Sequence, residues 1–97
     1  MEPIREPIEF EWDAGNRDKN LKHRVTDTEC EETFFDPHKR LLKEIPHVGE
    51  KGWERRYVMI GKTREGRALF VVFTLRKGKV RVISARDLNR RERGLLP

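Results

Sequence analysis

The stretch from 55 to 85 most constrains the fold. It reads RRYVMIGK, TREG, RALFVVFTL, RKGK, VRVISA. Three runs rich in β-branched and aromatic residues are joined by two four-residue connections, each containing a glycine. Connections that short cannot carry a crossover helix, so neighbouring strands must run antiparallel. The middle run, Arg67 to Leu75, is almost continuously apolar, which predicts a central strand buried on both faces. Ahead of this meander, IEFEW (8–12) alternates Ile8, Phe10 and Trp12 against Glu9 and Glu11, the period of a half-buried strand. HKRLLKEI (38–45) reads as an edge strand, and Pro46 to Gly52 as a polar loop with two glycines.

Helical segments precede the sheet. Asp13 suits an N-cap, and AGNRDKNLKHR (14–24) has helical composition apart from Gly15, with a thin apolar face. Thr26 and Glu29 have the spacing of a capping box. The helix they open carries Cys30, Thr33 and Phe34 inward and ends at Asp36-Pro37. At the other end Asn89 and Glu92 have the same box spacing, and Gly94 and Pro97 leave that helix barely one turn. The expected fold is α+β: a small antiparallel sheet, a three-strand meander plus flanking strands. Two N-terminal helices pack on one face, and a short helix closes the chain. Residues 1–7, with Pro3 and Pro7, read as a flexible leader, and 8–97 as a single domain.

Composition narrows the function. Charged residues make up 40% of the 97-residue chain and the net charge is +5, which suits a polyanionic or acidic partner. The single cysteine excludes an intramolecular disulfide and fits a reducing, cytoplasmic compartment. Cys30 reads as a small core residue. No apolar run approaches the length of a membrane span. The three histidines are widely spaced, which argues against a metal site, and no phosphate-binding glycine loop or nucleophile elbow is present. No cofactor is expected.

What remains is a distribution of cations. Arg55 and Arg56 open one strand, Arg67 opens the next and Arg76 ends it. Arg81 falls mid-strand in an apolar run, so it faces solvent, pairs with a carboxylate, or lines a cleft. Arg86 ends the last strand, and Arg90, Arg91 and Arg93 follow. Lys22 and His23 close the first helical segment. Cleavage of RNA without a metal needs a base, cations against the phosphate and an acid for the leaving oxygen. Guanidinium forks match phosphate oxygens. The same residues could equally make a non-catalytic nucleic-acid-binding module, or a subunit whose basic face docks an acidic partner.

Taken in order, FEWD (10–13), NLKH (20–23), FFD (34–36), ERRYVMIG (54–61), VRVISAR (80–86) and NRRER (89–93) resemble the BrnT-type toxins. The resemblance implies a RelE-like fold and a bacterial ribonuclease toxin of a type II toxin–antitoxin pair that inhibits translation. It implies neutralisation by a BrnA-like antitoxin with a ribbon-helix-helix DNA-binding segment, so that DNA is met only through the antitoxin. It further implies autorepression of the operon and a two-plus-two complex. Carried over by position, it marks Lys22, His23, Glu54, Arg56, Arg81 and Arg86 as catalytic candidates. Arg76, Arg90, Arg91 and Arg93 become RNA or partner contacts. Two departures stand out: Arg24 replaces a glycine at an expected positive-φ helix stop, and GLLP (94–97) replaces a further helical turn.

Overall fold

The computed structural model describes residues 4–49 and 52–97. Four strands, β1 (Arg40–Gly49), β2 (Gly52–Lys62), β3 (Ala68–Arg76) and β4 (Lys79–Asp87), form one antiparallel sheet in the order β1-β2-β3-β4. The β3–β4 connection is a tight hairpin in which Lys77 and Gly78 both take positive φ, 52° and 80°. That is the backbone sense that matches the twist of the flanking strands. The expected polar loop at 46–52 is instead strand on both sides: β1 runs on through Pro46 to Gly49, and β2 begins at Gly52. Proline is tolerated there because β1 is an edge strand whose outer N–H groups need no ladder partner. Glu50 and Lys51, in the same predicted loop, lie outside the described residues, as do the first three residues of the predicted leader.

One face of the sheet holds the core. Tyr57, Met59, Leu69, Val71, Phe73, Val80, Val82 and Ala85 pack against Val25, Cys30 and Phe34. Phe34 meets Phe73 and Phe10 edge-on, at ring-centroid distances of 5.1 and 5.3 Å. The helix α1 (Asp27–Thr33) starts with the predicted box: Glu29 N–H donates to Thr26 Oγ1, and Thr26 N–H to Glu29 Oε1. It can approach the sheet closely because β2 offers Gly61. A Cβ there would lie 2.9 Å from the Thr33 carbonyl oxygen. Burial pushes the Cys30 thiol up to about 12, so it stays protonated and behaves as a core residue.

The helix expected from Ala14 to Arg24 does not form. Only Lys19–His23 coils, as a 3-10 turn, between Asp18 and Arg24, which both take left-handed backbone angles. The segment has too few apolar residues to bury a helix face, and Leu21 is itself exposed. Asp13 does not cap a helix; its carboxylate accepts from Gly15 N–H and from Arg81. The expectation of two N-terminal helices therefore reduces to one helix, α1, preceded by a turn. Arg24, at φ 60°, occupies the positive-φ stop where glycine would be unstrained.

The real task of residues 9–20 is to cover the open edge of β4. Phe10 forms an isolated parallel bridge with Val80, through Glu11 N–H to Val80 O and Val80 N–H to Glu9 O, both 2.8 Å. Further along, Asn16 Nδ2 donates to Val82 O, and Ala85 N–H donates to Asn20 Oδ1 at 2.9 Å. Two buried asparagines thus stand in for a fifth strand. Replacing Asn20 with alanine leaves the buried Ala85 N–H without an acceptor. Asn20→Ala is expected to cost about 1–3 kcal/mol of unfolding free energy, read by urea denaturation. A change below about 0.5 kcal/mol would contradict this role, being the size of an ordinary surface substitution.

Candidate active site on the open face of the sheet

The other sheet face carries the charges. Two irregularities set which residues reach it. In β4, Val72 pairs with Ser84 but Phe73 with Val82, so Ile83 is an extra, bulged residue. The bulge returns Val82 and Ala85 to the core face and puts Arg81 and Arg86, opposite in simple alternation, on the same open face. In β1 a second shift falls between Leu41 and Lys43. Beyond it Ile45 pairs with Arg56 and His47 with Glu54. Arg56 pairs with Thr74, two residues before Arg76. The register therefore gathers His47, Glu54, Arg56 and Arg76 on the open face of three adjacent strands.

These four side chains, with Gly49, Gly52 and Trp53, line a cleft of about 520 Å³. Arg56 Nε donates to Glu54 Oε1 at 3.0 Å, while Arg76 approaches the other Glu54 oxygen at 4.0 Å. Arg76 also lies 3.9 Å from Glu11, whose carboxylate accepts from Arg81 Nη1 at 3.0 Å. The charges alternate across the face: Arg56, Glu54, Arg76, Glu11, Arg81, Asp13. Arg56 keeps both terminal nitrogens without a protein partner among the described residues, and Arg76 makes only long contacts. Both can turn their forks to an incoming phosphate.

The remaining candidates are placed differently. Arg81 is buried, its two terminal nitrogens gripping Asp13 at 2.9 Å each. Arg86 makes a two-pronged pair with Glu92, 2.8 and 2.9 Å, and lies 4.0 Å over the Phe70 ring. The pair ties β4 to α2 (Arg90–Arg93), whose Asn89–Glu92 box forms as expected. Arg90, Arg91 and Arg93 are exposed on that one-turn helix. Arg93 borders a separate hollow of about 380 Å³ with Lys62, Arg67 and Asp87, but there Arg67 and Asp87 neutralise each other at 2.8 Å. Lys22 and His23 are exposed on the 3-10 turn packed against β4 and do not line the cleft. The His23 and Arg24 carbonyls accept from Arg67, which also pairs with Glu29 and Asp87. Arg67 is thus a structural clasp between the turn, α1 and β4.

Sequence reasoning missed His47, because 46–52 read as loop. The signal that could have found it is alternation: His47 continues the Lys43, Ile45 parity of the edge strand. Among the described residues no group of three or more His, Cys, Asp or Glu side chains clusters as a metal site.

The acid sensitivity of the face follows from Asp13. Hydrogen bonds from Arg81, then from Gly15 N–H, hold its carboxyl down to about 2, below the usual 3.8. A depressed folded-state pKa means the contribution is complete above about 3.8 and fades as pH falls toward 2. Asp13→Asn should therefore flatten the loss of stability between pH 4 and 2, measured by urea midpoints. Some loss persists, because Glu29, Asp87 and Glu92 are also lowered by arginine or backbone partners. An unchanged pH profile would show that the pair contributes nothing.

No curated protein matches the chain. Residues 12–92 match the model of a family described as the ribonuclease toxin, BrnT, of type II toxin–antitoxin systems. The match runs from the tryptophan that anchors the edge segment through Glu92, the partner of Arg86, and takes in the whole cleft. The chain belongs to the BrnT family of ribonuclease toxins.

Proposed function

We propose that this protein is itself an active endoribonuclease toxin of RelE-like fold that cuts RNA at the β1–β2–β3 cleft and thereby inhibits translation. The observation that carries the reading is the Arg56–Glu54–Arg76 arrangement: one carboxylate held between two guanidinium groups that keep free donors. The scissile phosphate binds against Arg56 and Arg76, which stabilise the charge that builds on its oxygens. Glu54, placed between those arginines, takes the proton of the attacking 2′-hydroxyl. Arg81 acts at one remove, holding Glu11 and Asp13 so that Arg76 is positioned from its far side. Arg86 fastens α2, and the exposed Lys22, His23, Arg90, Arg91 and Arg93 serve RNA or partner contact.

The family implies an antitoxin partner. Several large apolar side chains support this by standing in solvent, among them Phe35, Val48 and Trp53. The proposed partner is a BrnA-like antitoxin with a ribbon-helix-helix segment, in a two-plus-two complex that represses its own operon in the cytoplasm.

The non-catalytic, binding-only reading has one observation in its favour: Arg81 and Arg86 are already neutralised by carboxylates. Cleavage and binding of a single-stranded RNA by wild type, Arg56→Ala and Arg76→Ala, all in EDTA, separate the two. The ribonuclease reading predicts cleavage in EDTA and a loss of about 10²–10³-fold in Arg56→Ala, with affinity reduced far less. Tight binding by wild type with no cleavage, and a parallel loss of affinity in both variants, would establish the binding-only reading instead.

A further inference from the structure

We infer that His47 is the general acid of this cleft, the group that protonates the leaving 5′-oxygen; the inference rests on the ribonuclease reading above. Three observations converge. The β1–β2 register sets His47 directly opposite Glu54, on the same face. Directly opposed residues in an antiparallel pair hold their Cβ atoms about 5 Å apart, close enough for both to flank one phosphate. His47 and Glu54 line the same cleft as Arg56 and Arg76. The imidazole lies along that face beside Gly49, the next residue on it: a Cβ built at Gly49 would sit 3.5 Å from His47 Nε2, an ordinary van der Waals contact.

The ring is also available. His47 is half-buried, and among the described residues no protein group hydrogen-bonds either ring nitrogen. The other histidines are elsewhere, His23 on the 3-10 turn and His38 exposed ahead of β1, and neither lines the cleft. Glu54, in contact with Arg56 at 3.0 Å and facing Arg76 at 4.0 Å, is the carboxylate placed for the base, which leaves the acid to another group. Arginine holds its protons too firmly to act as an acid near neutral pH, whereas imidazolium releases them readily.

The step balances with the groups named. The 2′-oxygen attacks phosphorus as its proton passes to the Glu54 carboxylate. The bond from phosphorus to the 5′-oxygen breaks, its electron pair stays on that oxygen, and His47 imidazolium supplies the proton. The products are a 2′,3′-cyclic phosphate and a 5′-hydroxyl, with Glu54 protonated and His47 neutral. Exchange with solvent resets both.

Two substrates test the role. One is a single-stranded RNA. The other is uridine 3′-(4-nitrophenyl phosphate), whose phenolate leaves without needing a proton. His47→Ala and His47→Gln should lose about 10²–10⁴-fold on RNA yet cleave the aryl ester within about threefold of wild type. Arg56→Ala should lose on both. Thermal melts of the histidine variants are expected to match wild type, and the retained aryl-ester activity certifies the fold independently. Wild-type rates of RNA cleavage in both histidine variants, or equal losses on both substrates, would overturn the acid role. Wild type inert toward both substrates would overturn the ribonuclease reading itself, and this inference with it.

Discussion

The structure depends on how the open edge of β4 is closed. A last strand with unpaired N–H and C=O groups is unstable in isolation and invites pairing with other chains. Here residues 9–20 close it with one bridge at Phe10–Val80 and two buried asparagine side chains. The same segment delivers Phe10 and Trp12 to the core side and Glu11 and Asp13 to the open side. Its alternation therefore serves both layers. The apolar half seals the core under α1, and the acidic half fixes Arg81. Without the acidic half, Arg81 would carry a buried charge with no partner, which is strongly destabilising.

From that edge the electrostatics spread across the sheet. Arg81 holds Glu11, Glu11 draws Arg76, Arg76 faces Glu54, and Glu54 orients Arg56. The contacts are short at the β4 end and at Glu54–Arg56, and long at Arg76. Arg81 and Arg86 have both terminal nitrogens taken up by carboxylates, whereas Arg56 is held only through Nε and Arg76 only by long contacts, and these two face the cleft. Free donors, rather than a count of arginines, separate the cleft arginines from those that hold the scaffold. It also accounts for the C-terminal cluster. Arg86 is held by Glu92 and Phe70 and anchors the one-turn helix on which Arg90, Arg91 and Arg93 stand exposed.

Much of this was legible in the residues. The meander, its tight turns, both capping boxes and the inert cysteine follow from local rules, because each depends on neighbours within a few positions. The segment from Ala14 to Arg24 misled because composition speaks for helix while its fate is decided by a strand edge over 60 positions away; the Asn16 bond to Val82 spans 66. The bulge at Ile83, which puts Arg81 and Arg86 on one face, is a matter of register that alternation alone cannot reveal. His47 stayed hidden because Pro46 and two glycines look like a loop, although the edge strand β1 accommodates Pro46 and Gly49, and β2 opens at Gly52.

The central claim is that RNA meets the β1–β2–β3 cleft. The most direct test is an NMR titration of the isotopically labelled protein with a single-stranded RNA made uncleavable by 2′-methoxy substitution. Shift changes should concentrate at His47, Glu54, Arg56, Thr74 and Arg76, with smaller ones at Glu11. Changes confined to Lys22, His23 and α2, with the cleft silent, would contradict it.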